Sequence, residues 1–465
     1  MFAKETYEKR RNSLRKKIKS GIILLLGNSE ASRNYPSNYE HFRQDSTFLY
    51  YFGINAADLV GVIDVDNATD CLYGNDYTLD DIIWMGDQPT VKQLAAKAGV
   101  NSTHTLRDLQ KTVKMAISKG RRIHFLPPYR AENTLKLKDL LGIKASTIKD
   151  YVSKELISAV VSDREIKSKK EIEELDRAFA IGYEMHTLAM QMCKPKVKER
   201  EIAGAIEGIA LCKGLGVSFH NIVSHNGQTL HNHCHDNKLD GDRLLLVDAG
   251  AETVLNYCSD NTRTMPVSGI YTNKQRDVYT VLTAAFEKSL SLVKAGITYQ
   301  SVQYECFKVM AEGLSALGLI KGNVEDAVDK GVVSLFMPHG LGHQLGLDVH
   351  DMENFGENFV GYDEETERST QFGFSALRMG KRLRPGHVIT VEPGIYFVPK
   401  LIEKWRSEGI NRSFLNYDLI EDYMDFGGMR VEDTVVVTEG GSRILGNKRI
   451  PYTADQIEDY MAKFK

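Results

Sequence analysis

The chain has 465 residues, a formal net charge of −3, 42% hydrophobic and 26% charged residues. This length provides for two or three domains with sizeable cores, and the balanced charge excludes a partner captured by bulk electrostatics, nucleic acid above all. No apolar run approaches a bilayer span, and the polar opening MFAKETYEKRRNSLRKK lacks a signal-peptide core, so a cytoplasmic protein without membrane contact is expected.

Glu5 to Lys19 has the spacing of an amphipathic helix, whose Arg10, Arg11, Arg15, Lys16 and Lys17 read as a solvated face. Gly21 to Gly27 predicts a buried strand closed by a Gly-Asn-Ser turn. Thr47 to Phe52 and Leu59 to Asp64 predict further strands, and a helix ends at Gly99. Arg121 to Leu126 predicts a strand stopped by Pro127 and Pro128. Residues 1–162 are therefore expected to form an α/β domain.

A boundary falls at Ser162 to Ser168, and residues 163–465 read as α+β. Ser168 and Glu171 have the spacing of a capping box, opening a helix that ends before Pro195. Helices over 199–213, 274–294 and 299–318 alternate with strands near 244–248, 254–258, 388–391 and 432–438. Thr453 and Gln456 form a second capping box before a last helix. The six cysteines include no C-x-x-C pair and read as reduced, mostly buried thiols. His231, His233 and His235 would share one side of a strand, but the carboxylate phrases further along make a better metal site.

Asp248 ends the apolar run Leu244 to Val247, a costly place for a carboxylate unless it is paired or holds a metal. Asp260 follows across a hairpin and reads equally as a ligand or a turn cap. Phe336-Met-Pro-His339-Gly-Leu-Gly-His343 puts two histidines four apart among glycines, with His350 close behind. It is not H-E-x-x-H, and its glycines lack dinucleotide-fingerprint spacing. Glu392 ends another apolar strand and Glu432 begins one. Arg430, two residues before Glu432, is placed to orient it or to hold a substrate oxyanion. Each phrase alone has an ordinary structural reading. Together, four carboxylates and one imidazole suit divalent metal with oxygen-rich coordination.

In this order the phrases resemble the pita-bread-fold metallopeptidases, and within them the aminopeptidase P and prolidase group. The run from Phe42 to Phe52 is similar to that group's N-terminal signature, and the stretch around Asp163, Arg164, Lys167 and Ser168 matches at the boundary. The resemblance implies an aminopeptidase P-type domain over 1–162 and a pita-bread catalytic domain over 163–465. It implies two metal ions bridged by a hydroxide. Asp248 would hold one ion, Asp260 and Glu432 would bridge, and His343 and Glu392 would complete the other. His231, His339 and His350 would contact substrate and move protons, and Arg430 would support Glu432.

The activity so implied is that of an Xaa-Pro aminopeptidase, a homodimer acting on proline-containing peptides; the alternative is an Xaa-Pro dipeptidase. Arg378 matches the arginine that prolidases use for the dipeptide's carboxylate, and the insertion from Phe397 to Phe426 also resembles that branch. The Asp248–Asp260 interval is one residue longer than usual, which predicts a bulge. The donor set favours manganese, with cobalt or zinc as alternatives. A non-catalytic binding module, or a metal-free hydrolase like the creatine-cleaving relatives, would not need the full ligand set.

Overall fold

The computed structural model describes residues 1–464, which divide into two units: Met1–Arg164 with Asn354–Phe359, and Glu165–Glu353 with Val360–Lys465. No helix among the described residues is long and apolar enough to cross a membrane.

In the first unit a five-stranded mixed sheet runs in the order Ser102–His104, Thr69–Tyr73, Val60–Asp64, Ile22–Leu26, Ile123–His124. Its core joins Ile22, Leu24, Val60 and Val62 to Leu109, Val113, Leu137 and Leu140 from two helices, Leu106–Ser118 and Ala131–Leu141. The strand expected from Arg121 is short because only Ile123 and His124 pair with Ile22–Leu26.

Two expectations for this unit are corrected. Ser46–Phe52 is a helix, not a strand: Asp45 caps it by accepting from the Thr47 and Phe48 amides, and Gly53 ends it in the left-handed region at φ 69°. All seven helical residues are buried, so no alternation betrays the helix, and their aromatic and β-branched character imitates a strand. Arg10 and Arg11 are also buried rather than solvated. Arg11 donates to Asp70 at 2.7 Å and to the carbonyls of Tyr51 and Ala98, which satisfies a guanidinium in the interior.

In the second unit the long helices Lys169–Met192, Glu199–Lys213, Asn273–Leu292 and Tyr299–Ala316 surround small antiparallel sheets. The Ser168 capping box is complete, with Ser168 Oγ and Glu171 each satisfying the other's backbone N–H. Leu244–Ala249 lies between Ile222–Ser224 and Asn261–Pro266, and Val388–Val391 pairs with Asp433–Val437. Gly394–Tyr396 pairs with Gly428–Arg430, and single bridges at Thr262–Glu432 and Gln344–Ile389 join the pieces. Apolar residues from the helices and inner strands, including Phe286, Phe307, Leu245 and Val435, form one core.

The strand expected near 254–258 is instead a turn, with Asn256 at φ 64°; the paired residues are Ala251 and Glu252. The ladder between Leu244–Ala249 and Asn261–Pro266 is unbroken over six pairs, so the expected bulge is absent from it. The histidine run at 231–235 is not a strand, and His235 Nε2 turns to the Asn221 carbonyl at 3.1 Å. Among the described residues no cysteine forms a disulfide; Cys212 and Cys234 are exposed.

Candidate metal centre

Three neighbouring chain segments fix the carboxylates. Asp248 sits opposite Thr262 in the antiparallel ladder, and Thr262 in turn bridges to Glu432. Side chains directly opposite in such a ladder share a face, so Asp248, Thr262 and Glu432 point the same way. Asp260, two residues before Thr262, joins them by the strand period. His343 arrives on the glycine loop. A Cβ on Gly342 would lie 2.1 Å from the Thr390 carbonyl oxygen, so this loop can hug the neighbouring strand only because glycine stands there. Glu392 follows the strand Val388–Val391.

Asp260, His343 and Glu432 present ligand atoms all within 4.8 Å of one another, and all three residues are buried. His343 Nε2 lies 3.5 Å from Asp260 Oδ2 and 3.4 Å from Glu392 Oε1. Its Nδ1 is occupied by the Gln344 carbonyl at 3.0 Å, which leaves Nε2 facing the acids. Asp248 and Glu392 line the same cavity of about 440 Å³.

This cluster is electrostatically costly. Burial, then the charges of Asp248 and Glu392, push the Asp260 carboxyl well above its ordinary range. Burial, then Asp260 and Glu392, do the same to Glu432, and Glu392 is also raised, chiefly by burial. Asp248 Oδ1, Asp260 Oδ1 and Glu432 Oε1 are buried and find no hydrogen-bond donor among the described residues. Buried, mutually repelling carboxylates with unsatisfied oxygens are what divalent cations neutralise. The residues therefore fit metal ions, with Asp248, Asp260, His343, Glu392 and Glu432 as the donors at hand.

The supports were only partly expected. Arg430 donates from Nη2 to Asp248 Oδ2 at 2.6 Å, from Nη1 to the Tyr396 hydroxyl at 2.7 Å and from Nε to Thr262 Oγ1 at 3.1 Å. Thr262 Oγ1 donates to Glu432 Oε2 at 2.8 Å, so Arg430 reaches Glu432 through a threonine and Asp248 directly. Thr390 Oγ1 donates to Glu392 Oε1 at 3.2 Å and accepts from the His343 amide at 3.0 Å. Thr262 and Thr390 carried no sequence signal beyond their places two residues from Asp260 and Glu392, and Tyr396 carried none.

His231, His339, His350 and Arg378 all line the cavity. His339 Nδ1 pairs with the Gly340 carbonyl at 2.8 Å and Nε2 with the Tyr396 hydroxyl at 3.0 Å. Burial and then Arg430 push His339 down to about 3. His350 lies against His343, ring centroids 3.9 Å apart, and bonds Glu353 at 3.0 Å; burial and then His343 bring it down to about 4. His231 is lowered too, chiefly by burial. Near neutral pH His339 and His350 are therefore neutral imidazoles.

Comparison with known proteins gives a consistent picture. The family model "Metallopeptidase family M24" matches residues 173–439, and "Aminopeptidase P, N-terminal domain" matches residues 7–124. The human Xaa-Pro dipeptidase is 30% identical over 457 residues, covering 95% of this chain and 88% of its own length. A probable Xaa-Pro aminopeptidase of Neosartorya fischeri is 30% identical over 453 residues, covering 94% of this chain and 92% of its own. Among solved structures, proline aminopeptidase P II from Yersinia pestis matches with a TM-score of 0.81 and 26% identity, covering 99% of this chain and 100% of its own. Zinc-substituted Escherichia coli aminopeptidase P, in complex with product, matches with a TM-score of 0.81 and 25% identity over 100% and 99% of the two chains.

Proposed function

The chain belongs to metallopeptidase family M24, as a metal-dependent peptidase with an aminopeptidase P-type N-terminal domain and a pita-bread catalytic domain, and on that premise we propose that it is an Xaa-Pro aminopeptidase, releasing an N-terminal residue that precedes proline. One observation carries the site assignment: Asp260, His343 and Glu432 converge within 4.8 Å while buried carboxylate oxygens around them stay unsatisfied.

In this reading Asp248, Asp260, His343, Glu392 and Glu432 hold two divalent cations. When bound, such cations supply Lewis acidity and lower the pKa of the attacking water. The chain's own groups do the rest. Arg430 fixes Asp248 directly and Glu432 through Thr262. His231, kept neutral, can donate a hydrogen bond to the carbonyl at the scissile bond, and His350 can bond the peptide beyond it, while His339, with both ring nitrogens engaged by the Gly340 carbonyl and the Tyr396 hydroxyl, gives the cavity a fixed wall. The imide nitrogen of proline has no hydrogen, so a site gripping the residue before it needs no N–H contact at that point.

Manganese is the cation we assign, because four carboxylates and one imidazole suit a hard ion. Homodimerisation and a cytoplasmic location belong to the same proposal, and sedimentation velocity and cell fractionation test them. A second reading, Xaa-Pro dipeptidase, is favoured by Arg378 on the cavity wall. The deciding experiment strips the protein with chelator, reloads it with manganese, and sizes the products from Ala-Pro and from Ala-Pro-Ala. Cleavage of the tripeptide to alanine and Pro-Ala supports the aminopeptidase. Cleavage of the dipeptide alone supports the second reading, and cleavage of neither sinks both.

A further inference from the structure

Arg378 lines the same cavity as the carboxylate cluster with its side chain 36% exposed, and its charge is felt by His231 and His339. A guanidinium so placed is what the carboxylate end of a short peptide would meet, because the two groups form a forked pair of charged hydrogen bonds. The chain has already set a carboxylate of its own there. Glu353 Oε2 accepts from Arg378 Nη1 and shares a 3.0 Å bond with His350 Nδ1. Glu353 does not itself line the cavity; its side chain is 17% exposed, and Oε1 is buried without a hydrogen-bond partner. Burial works against its charge, but the bond to His350 and the nearby guanidinium of Arg378 hold its carboxyl below the ordinary range.

We propose that Glu353 is a specificity-determining positioning residue, whose carboxylate occupies Arg378 and so biases the enzyme toward substrates that continue past proline. A dipeptide's free carboxylate would approach Arg378 against the negative charge of Glu353 and would have to share or displace it. A longer peptide, or a proline amide, brings a neutral group to that place and meets no such competition. The inference rests on the Xaa-Pro reading above and deepens it, since it accounts for an arginine of the dipeptidase kind within an aminopeptidase.

The test compares Ala-Pro with Ala-prolinamide, which share the scissile bond and differ in the carboxylate alone, using the full manganese-loaded chain. In Glu353→Gln the ratio of kcat/KM for acid over amide is expected to rise about tenfold, the scale of a charged hydrogen bond gained. The gain should fall in KM, as ground-state binding does. Adding Arg378→Met should remove it. Any loss of kcat transmitted through His350 would strike both substrates and cancel in the ratio. A folded, active Glu353→Gln enzyme with an unchanged ratio would overturn the inference while leaving the Xaa-Pro reading intact. The wild type supplies an independent arm: hydrolysis of the amide at least as fast as the acid supports the role of Glu353, and acid faster by about tenfold or more refutes it. Failure of the wild type on both substrates would refute the peptidase reading itself.

Discussion

Arg430 and Asp248 form an ion pair of 2.6 Å with side chains only 5% and 13% exposed, and the same guanidinium reaches two further site residues. Three fixed donors on one planar group set the direction of Asp248 in a way a lysine's single point charge cannot. Arg430→Lys should therefore lower manganese affinity about 10–100-fold, the usual loss when a group orienting a metal ligand is removed. Calorimetric titration of the chelated protein measures this, and an unchanged affinity contradicts the assignment of Asp248 as a ligand.

Tyr396→Phe isolates one hydroxyl. It joins His339 Nε2 at 3.0 Å to Arg430 Nη1 at 2.7 Å. Its removal should reduce stability by about 1–2 kcal/mol and kcat by about tenfold, with a smaller change in KM. Combining Tyr396→Phe with Arg430→Lys should cost less than the sum of the two, because both act on one network. Denaturant titration and steady-state kinetics read the two effects separately.

Metal removal should change how stability depends on pH. Burial and mutual repulsion raise Asp260 and Glu432 in the folded protein, so without cations the folded state holds protons that the unfolded state has released. Their contribution is complete below the ordinary carboxylate range and is lost as pH rises through the raised values. The chelated protein should thus melt at higher temperature at pH 5.5 than at pH 8. The manganese-loaded protein should lose that trend and gain about 2.7 kcal/mol at a cation concentration 100-fold above Kd. Differential scanning calorimetry at the two pH values checks both.

Glu165 gives the opposite sign. Burial would raise it, but His387, whose Nε2 lies 3.8 Å away, and the charge of Lys381, 2.6 Å away, hold it down to about 2. A depressed carboxyl stabilises fully above the unfolded value and loses that contribution as pH falls. Wild-type stability should drop by about 3 kcal/mol between the ordinary 4.5 and about 2, and Glu165→Gln should flatten that window. At neutral pH the same substitution leaves Lys381 buried beside a neutral partner and should cost about 3 kcal/mol. Urea titrations across the window decide it.

Asp248, Glu392 and Glu432 were legible because each stands where an apolar strand meets a short polar phrase, and carboxylates are rarely spent there without a partner. The helices were legible at their caps: Ser168 with Glu171, and Thr453, which accepts from the Gln456 amide. Ser46–Phe52 was misread because burial on every side erases periodicity, although Asp45 before Ser-Thr-Phe was a capping signal in plain sight. Arg11 was misread because its partners lie far along the chain, at Asp70 and Ala98. Tyr396, Thr262 and Glu353 act sideways on residues from other segments, and lateral neighbours leave no mark in linear order.

The threonine lying between Asp248 and Glu432 carries a last consequence. The two acids stand on either side of Thr262, one hydrogen-bonded strand away in each direction, and neighbouring strands keep a pitch of about 4.8 Å whatever side chains they bear. The width of the cradle is thus inherited from peptide geometry. Any retuning of which ion is preferred therefore falls to Asp260, His343 and Glu392, which stand outside that ladder, while the gauge across the sheet stays put.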